Sequence, residues 1–141
     1  MEQLAQFATN HALLAGGFVA VLCLLVWTEI SRKAQGLAEL STAQAVAWMN
    51  DAAAVIVDVS AAADYNKGHI VNARNIAMSR ISDPDAEVLK LKESKVLLVC
   101  KTGQTATLAA AKLKKHGIAN VAVLKGGMGQ WLADQYPVTR K

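Results

Sequence analysis

Cys100 closes the apolar run Lys95-Val96-Leu97-Leu98-Val99 and opens a polar stretch, Lys101-Thr102-Gly103-Gln104-Thr105. An alanine-rich segment, residues 106–116, follows at once. A short apolar run, then a loop, then a helical pattern places the thiol at the carboxyl end of a buried strand, where ligands bind in open parallel sheets. A loop containing Gly103 can curl so that successive backbone N–H groups point inward, and the start of the next helix adds partial positive charge. Such a cradle suits an anion. It would hold a persulfide or a tetrahedral oxyanion over the loop. The competing reading is an inert strand-end thiol, and the loop leading into a strong helix favours the reactive one.

Other residues with chemical potential are dispersed. Asp58 ends the run Val55-Ile56-Val57 and is a charge where burial is expensive, so it is expected to accept hydrogen bonds, either as a structural cap or in support of the reactive loop. His69 follows Gly68 in a turn and is expected to be structural. His116 precedes Gly117 at a helix end, where it favours the dipole. His11 borders an apolar segment, and Cys23 lies inside it. No pair among these histidines and cysteines has the spacing of metal ligands, so no metal or cofactor is expected. The pairs Gly16-Gly17 and Gly126-Gly127 do not follow a nucleotide-loop pattern.

The elements that must position Cys100 alternate. Residues 42–49, with Ser41 as N-cap, read as a helix. Residues 55–59 are β-branched and read as a strand buried on both faces. Residues 61–66 read as a helix, 73–76 as a short strand, and 85–91 as a helical stretch after Pro84. Residues 95–99 are the clearest central strand, and 100–105 are its loop. The helix 106–116 ends on Gly117 as its left-handed residue. Residues 121–124 form another strand, followed by a Gly126-Gly127 turn and a last helix carrying Trp131, which like Trp48 is expected to pack in or beside the core. Alternation of this kind implies an α/β domain with a parallel sheet flanked by helices on both faces.

Ahead of this domain, residues 12–27 carry no charge. Some 17 to 19 residues at about 1.5 Å rise give roughly 27 Å, enough to cross a bilayer core. Trp27 stands at the far end, and Arg32 and Lys33 follow. Every Lys and Arg lies after this segment, and only Glu2 is charged before it. The expected organisation is an extracytoplasmic segment 1–11, a transmembrane helix 12–30, a linker 31–38 and a domain 39–141. The positive-inside bias places that domain in the cytoplasm, on a single-pass protein of a bacterial inner membrane. A cleaved signal peptide fits less well, because the basic leading region is missing.

The 141 residues allow one domain and an appendage. Two cysteines in dissimilar segments are no disulfide framework, so both read as reduced thiols. The net charge of +4 comes from scattered lysines and arginines with few aromatics, which argues against nucleic acid and fits an anionic membrane surface or small anionic substrate.

Several segments together resemble the rhodanese family. Val57-Asp58-Val59 with Asp64-Tyr65 and Gly68-His69-Ile70 is similar to its first signature, and Ala73-Arg74-Asn75-Ile76 continues it. Val99-Cys100, the loop to Thr105, and Ala109-Ala110 with Leu113 resemble its active-site loop and helix. Residues 117–121, Leu124, Gly126-Gly127 and Trp131 match its closing pattern. The resemblance runs from about Leu40 to Pro137. It implies a sulfurtransferase in which Cys100 takes sulfane sulfur from a donor and passes it to a thiol or cyanide acceptor, the amides of Lys101, Thr102, Gly103, Gln104 and Thr105 holding the persulfide. Related phosphatases use a loop one residue longer, which disfavours phosphatase or arsenate chemistry here.

The sequence also departs from the family. Thr105 stands where an arginine is common, Ala106 where a serine often follows, Ser60 where an arginine often follows the Asp-Val pair, and Val71-Asn72 where a Pro-Gly pair is common. Lys101 supplies positive charge only as a mobile point charge, not as a fork. Thiosulfate is therefore expected to be a poor donor, and a protein or low-molecular-weight persulfide a better one. The alternative is a largely non-catalytic module of the same fold, docking a membrane-protein partner.

Overall fold

The structure, a computed structural model, describes residues 2–34 and 36–140. Met1, Gln35 and Lys141, which fall in the expected leading segment, linker and domain, lie outside the described residues, as do the side chains of Arg32 and Lys33. The chain divides into two compact units, residues 1–36 and 37–141.

The first unit is helical. A short helix α1, Glu2–Asn10, precedes α2, Ala12–Ala34. Within α2 the stretch Ala12–Ser31 is long and apolar enough to span a bilayer, and none of it is buried. Its leucines, valines and Phe18 stand exposed, which in water would be an unfavourable display of contiguous apolar surface. The helix runs on through Ser31 and beyond, because nothing in Ser31-Arg32-Lys33-Ala34 breaks it.

The second unit is an α/β domain. Its strands are β1 Ala38–Leu40, β2 Ala54–Asp58, β3 Arg74–Asn75, β4 Lys95–Val99 and β5 Val121–Leu124. They form one sheet in the order β1-β5-β4-β2-β3, with every neighbouring pair parallel. Between them lie α3 Thr42–Met49, α4 Ala62–Lys67, α5 Met78–Ser82, α6 Ala86–Leu89 running into the 3-10 turn Lys90–Glu93, and α7 Gln104–Lys115; α8 Gly127–Ala133 follows β5. Strand alternation sorts the core. Val96, Leu98 and Cys100 face one side with Ala106, Ala109, Ala110 and Leu113 of α7 and Ile81 of α5. Leu97 and Val99 face the other with Ala45 of α3 and Met128 and Trp131 of α8. Both faces of the central strands are thus covered by helices, as a continuous apolar run requires.

Local chemistry explains the element ends. Ser41 caps α3 through a reciprocal pair, Gln44 N donating to Ser41 Oγ at 3.3 Å and Ser41 N donating to Gln44 Oε1 at 2.9 Å. The stretch expected as one helix over 85–91 is instead one turn of α6, capped by Asp85, and a 3-10 turn, because its apolar side chains Val88 and Leu91 are three residues apart and both dip into the core. The edge strand β1 has no signal in the sequence. Three residues, Ala38-Glu39-Leu40, are too short to show a period, and only pairing with Ala122, Val123 and Leu124 makes them a strand.

Candidate active site

The chain leaves β2 outward to β3 but leaves β4 in the opposite sense, to β5. The loops after β2 and β4 therefore part at the carboxyl ends of the strands, a topological switch point of the kind at which open sheets bind ligands. Cys100 follows β4 there, and Asp58, the last residue of β2, stands in register with Val99.

Cys100 is 3% exposed. Its Sγ accepts hydrogen bonds from the backbone N–H of Gly103 at 3.0 Å and of Ala106 at 3.4 Å. Gly103 adopts φ 93°, which lets the chain fold back over the sulfur and caps α7 without a side chain. The helix then closes on Gly103, whose carbonyl accepts from Thr107 N at 3.1 Å and Thr107 Oγ1 at 2.8 Å. Gln104 and Thr105, expected in the loop, form the first turn of α7. Their N–H groups, like those of Lys101 and Thr102, meet no protein acceptor among the described residues. These are the orphan donors of a helix start and the turn before it, a ready site for an anion.

The start of the loop is held by α8. Met128 N donates to the Cys100 carbonyl at 2.8 Å, and Gly129 N donates to the Lys101 carbonyl at 3.1 Å. In a trans peptide the C=O and N–H point opposite ways. Fixing these two carbonyls on α8 therefore turns the N–H groups of Lys101 and Thr102 away from it. Gly126 and Gly127, with φ 76° and 58°, permit this approach, and a Cβ on Gly127 would overlap the Cys100 carbonyl oxygen. Sequence reading took this pair as a turn and missed its role. The Ala106 N–H was missed too, because a backbone donor leaves no residue-type signal.

Asp58 is 1% exposed, and Ser60 N donates to its Oδ1 at 2.8 Å. Its carboxylate thus braces the turn after β2, and no hydrogen bond joins it to the loop 101–105 among the described residues. Asn75 completes that turn, its Nδ2 donating to the carbonyls of Asp58 at 3.1 Å and Ser60 at 2.9 Å; sequence reading did not single it out. The side chains of Lys101, Thr102, Gln104 and Thr105 are exposed around the loop. His69 is buried elsewhere, stacked on Tyr65 at 3.6 Å, with its Nδ1 donating to the Tyr65 carbonyl at 2.8 Å and its backbone paired with Thr139. Its ring and backbone are engaged in structure, as expected. His116 caps α7, Gly117 takes φ 85°, and Cys23 is an exposed thiol on α2.

Residues 41–134 match the model of the rhodanese-like domain. The uncharacterised protein YibN of Escherichia coli (strain K12) is 29% identical over 141 residues, covering 99% of each chain. An adenylyltransferase and sulfurtransferase, uba4, of Ogataea parapolymorpha is 32% identical over 76 residues, 54% of this chain and 19% of that one. Among solved structures, a rhodanese-related protein from Thermoplasma volcanium superposes with a TM-score of 0.65 at 23% identity, over 74% of this chain and 99% of that one.

Proposed function

The chain belongs to the rhodanese-like family, and from that premise we propose that it is a membrane-anchored sulfurtransferase carrying sulfane sulfur as a persulfide on Cys100. The observation that supports this reading is the sulfur itself, met by the N–H groups of Gly103 and Ala106 in a loop whose other N–H groups, those of Lys101, Thr102, Gln104 and Thr105, meet no protein acceptor among the described residues. A neutral inert thiol needs no such donors. A thiolate or a terminal persulfide sulfur is stabilised by them.

In the first step the Cys100 thiolate attacks the outer sulfur of a donor R–S–S⁻ or of thiosulfate. The new S–S bond forms as the old one breaks, and the thiolate or sulfite leaves with the electron pair. The loop N–H groups hold the anionic outer sulfur. In the second step an acceptor thiolate or cyanide attacks that sulfur, and Cys100 leaves as thiolate. The loop has no guanidinium, so thiosulfate, a dianion, is a poor donor and a persulfide the better one. The apolar stretch Ala12–Ser31 is the anchor, with the domain on the cytoplasmic side, where thiols stay reduced.

The test is sulfur transfer to cyanide by residues 37–141, with thiosulfate and with a low-molecular-weight persulfide, beside Cys100→Ser, together with the intact mass after donor exposure. A gain of one sulfur on wild type only, with transfer lost in the variant, is expected. No added sulfur from any donor would replace this reading with the docking module, whose partner would then be sought in the membrane.

A further inference from the structure

Strand β2 is fully paired on one side only. β4 matches all of Ala54–Asp58, whereas β3 reaches only Val57 and Asp58. In a parallel ladder the N–H and C=O of one residue face one neighbour, and those of the next residue face the other. Val59 N donates to the Val99 carbonyl at 2.9 Å and Lys95 N to the Ala53 carbonyl at 2.8 Å, so the odd residues face β4. Ile76 N donates to the Asp58 carbonyl at 3.0 Å, so the even residues face the β3 side. There Ala54 N finds the Asp51 carbonyl at 3.0 Å, and the Ile56 carbonyl falls to Arg74 by the register of β3. The Ala54 carbonyl and the Ile56 N–H meet no partner among the described residues. β3 does not cover them because the chain turns just before it: Ala73 N donates to the Ile70 carbonyl at 3.0 Å, with Asn72 at φ 66°.

This uncovered edge lies in a cavity of about 390 Å³, the size of a small-ligand pocket. Met49 and Asn50 at the end of α3 line it, with Val55, Ile56, Val71 and Arg74. Successive strand residues point to opposite faces. A cavity lined by both Val55 and Ile56 therefore runs across the edge of the strand. Arg74 is exposed, and its guanidinium makes no hydrogen bond or ion pair among the described residues. Asp51, beside Asn50 in the chain, is already held by Lys95 at 2.6 Å and by Ala53 N at 2.9 Å. A lone cation on an edge strand also serves to block association of sheets. Here the two unpaired backbone groups are recessed between α3 and the turn before β3, which admits one chain end rather than another sheet.

We propose that this cavity binds the carboxyl terminus of an extended peptide, added to β2 as a short parallel strand ahead of β3. A peptide residue opposite Val55 closes both unpaired groups: its N–H donates to the Ala54 carbonyl, and its own carboxyl oxygen accepts from Ile56 N–H. Arg74 lies opposite Val57, so the place of the next residue is taken by Ala73, and the peptide must end there. Its second carboxylate oxygen is then left to the Arg74 guanidinium. Charge fixes the direction, since an antiparallel peptide would bring an ammonium group to Arg74. The apolar Met49, Val55, Ile56 and Val71 call for an apolar last residue. The site is separate from the Cys100 loop and does not depend on sulfur transfer.

The test is fluorescence anisotropy with the full chain in dodecyl maltoside. The probes are labelled hexapeptides ending in Val, Leu, Ile or Phe, each as the free acid, as the amide, and N-methylated at the last peptide bond. A free acid is expected to bind, with its amide and N-methyl forms weaker by about tenfold or more. Arg74→Gln should weaken the free acid by about tenfold and leave the amide unchanged. Cys100→Ser should bind as wild type does. The modified peptides leave the protein untouched, so they decide the matter even if Arg74→Gln fails to fold by circular dichroism. No binding of any free acid at millimolar protein, equal binding of acid and amide, or unchanged binding in folded Arg74→Gln overturns the proposal. Displacement by equimolar acetate also overturns it, as the site would then take a small carboxylate. Loss of binding in Cys100→Ser does the same, by placing the peptide at the reactive loop.

Discussion

A β-carbon on Gly127 would overlap the carbonyl oxygen of Cys100, and it would also stand 2.8 Å from the Lys101 carbonyl carbon and 2.9 Å from Gly103 N. The start of α8 and the reactive loop therefore share one volume, and the glycine is what lets them. Gly127→Ala is expected to cost about 2–4 kcal/mol, combining left-handed strain with backbone overlap. Sulfur transfer should fall further than stability alone explains, because Met128 and Gly129 lose their grip on the loop. Urea melts beside transfer rates check this; a variant as stable and active as wild type would show the contact to be inconsequential.

Thr105 lies in the first turn of α7, exposed beside the loop. Thr105→Arg adds a planar fork at the loop, suited to an anionic donor. The KM for thiosulfate, a dianion, should drop about tenfold, corresponding to about 1.4 kcal/mol, with a smaller change for the singly charged persulfide donor R–S–S⁻. Steady-state kinetics with both donors decide it, and equal change for both would mean that the missing charge is not what limits thiosulfate.

Trp131 is 2% exposed, and its Nε1 donates to the Pro137 carbonyl at 3.0 Å. It fastens α8, which holds the Cys100 and Lys101 carbonyls, beside the core cluster that contains Leu97, Val99 and Ala45. Trp131→Phe should cost about 1 kcal/mol for the hydrogen bond, plus a comparable packing loss. Trp131→Ala should cost about 3–5 kcal/mol. Thermal melts rank the three proteins, and a ranking with Ala above Phe would contradict the packing account.

Asp85 caps α6 through Val88 N at 3.0 Å and pairs with Arg80. The Val88 N–H first, and then the Arg80 guanidinium, hold its carboxyl below the usual carboxylate value. A depressed folded pKa means that the unfolded chain takes up the proton first as pH falls. The stabilisation is therefore whole at neutral pH and lost as pH drops below about 4 through the folded value. Asp85→Asn should be less stable than wild type at pH 7, and the gap should narrow as the pH falls below about 4. Denaturant midpoints across this range check the sign, and a gap that widens on acidification would reverse it.

The periods of the sequence were enough to determine most of the domain. The run Lys95-Val96-Leu97-Leu98-Val99 matches β4 residue for residue, and Gly117 ends α7 as a left-handed residue must. Strands alternating with helices implied a parallel sheet covered on both faces, and the position of Cys100 after a central strand followed. These features are local: side-chain period, caps and glycine dihedrals act within a few residues. Tertiary structure alone decided the rest. The strand β1 exists only by pairing with β5. The switch point beside Cys100 exists because β3 and β5 lie on opposite sides of the β2–β4 pair. The donors to Cys100 Sγ are the backbone N–H groups of Gly103 and Ala106, and α8, some 28 residues downstream, holds the start of the loop through the carbonyls of Cys100 and Lys101, groups that any residue possesses. Backbone groups carry no residue type, so a site built from them is invisible until the chain is folded, and only the cysteine and the glycines that permit it appear in the sequence.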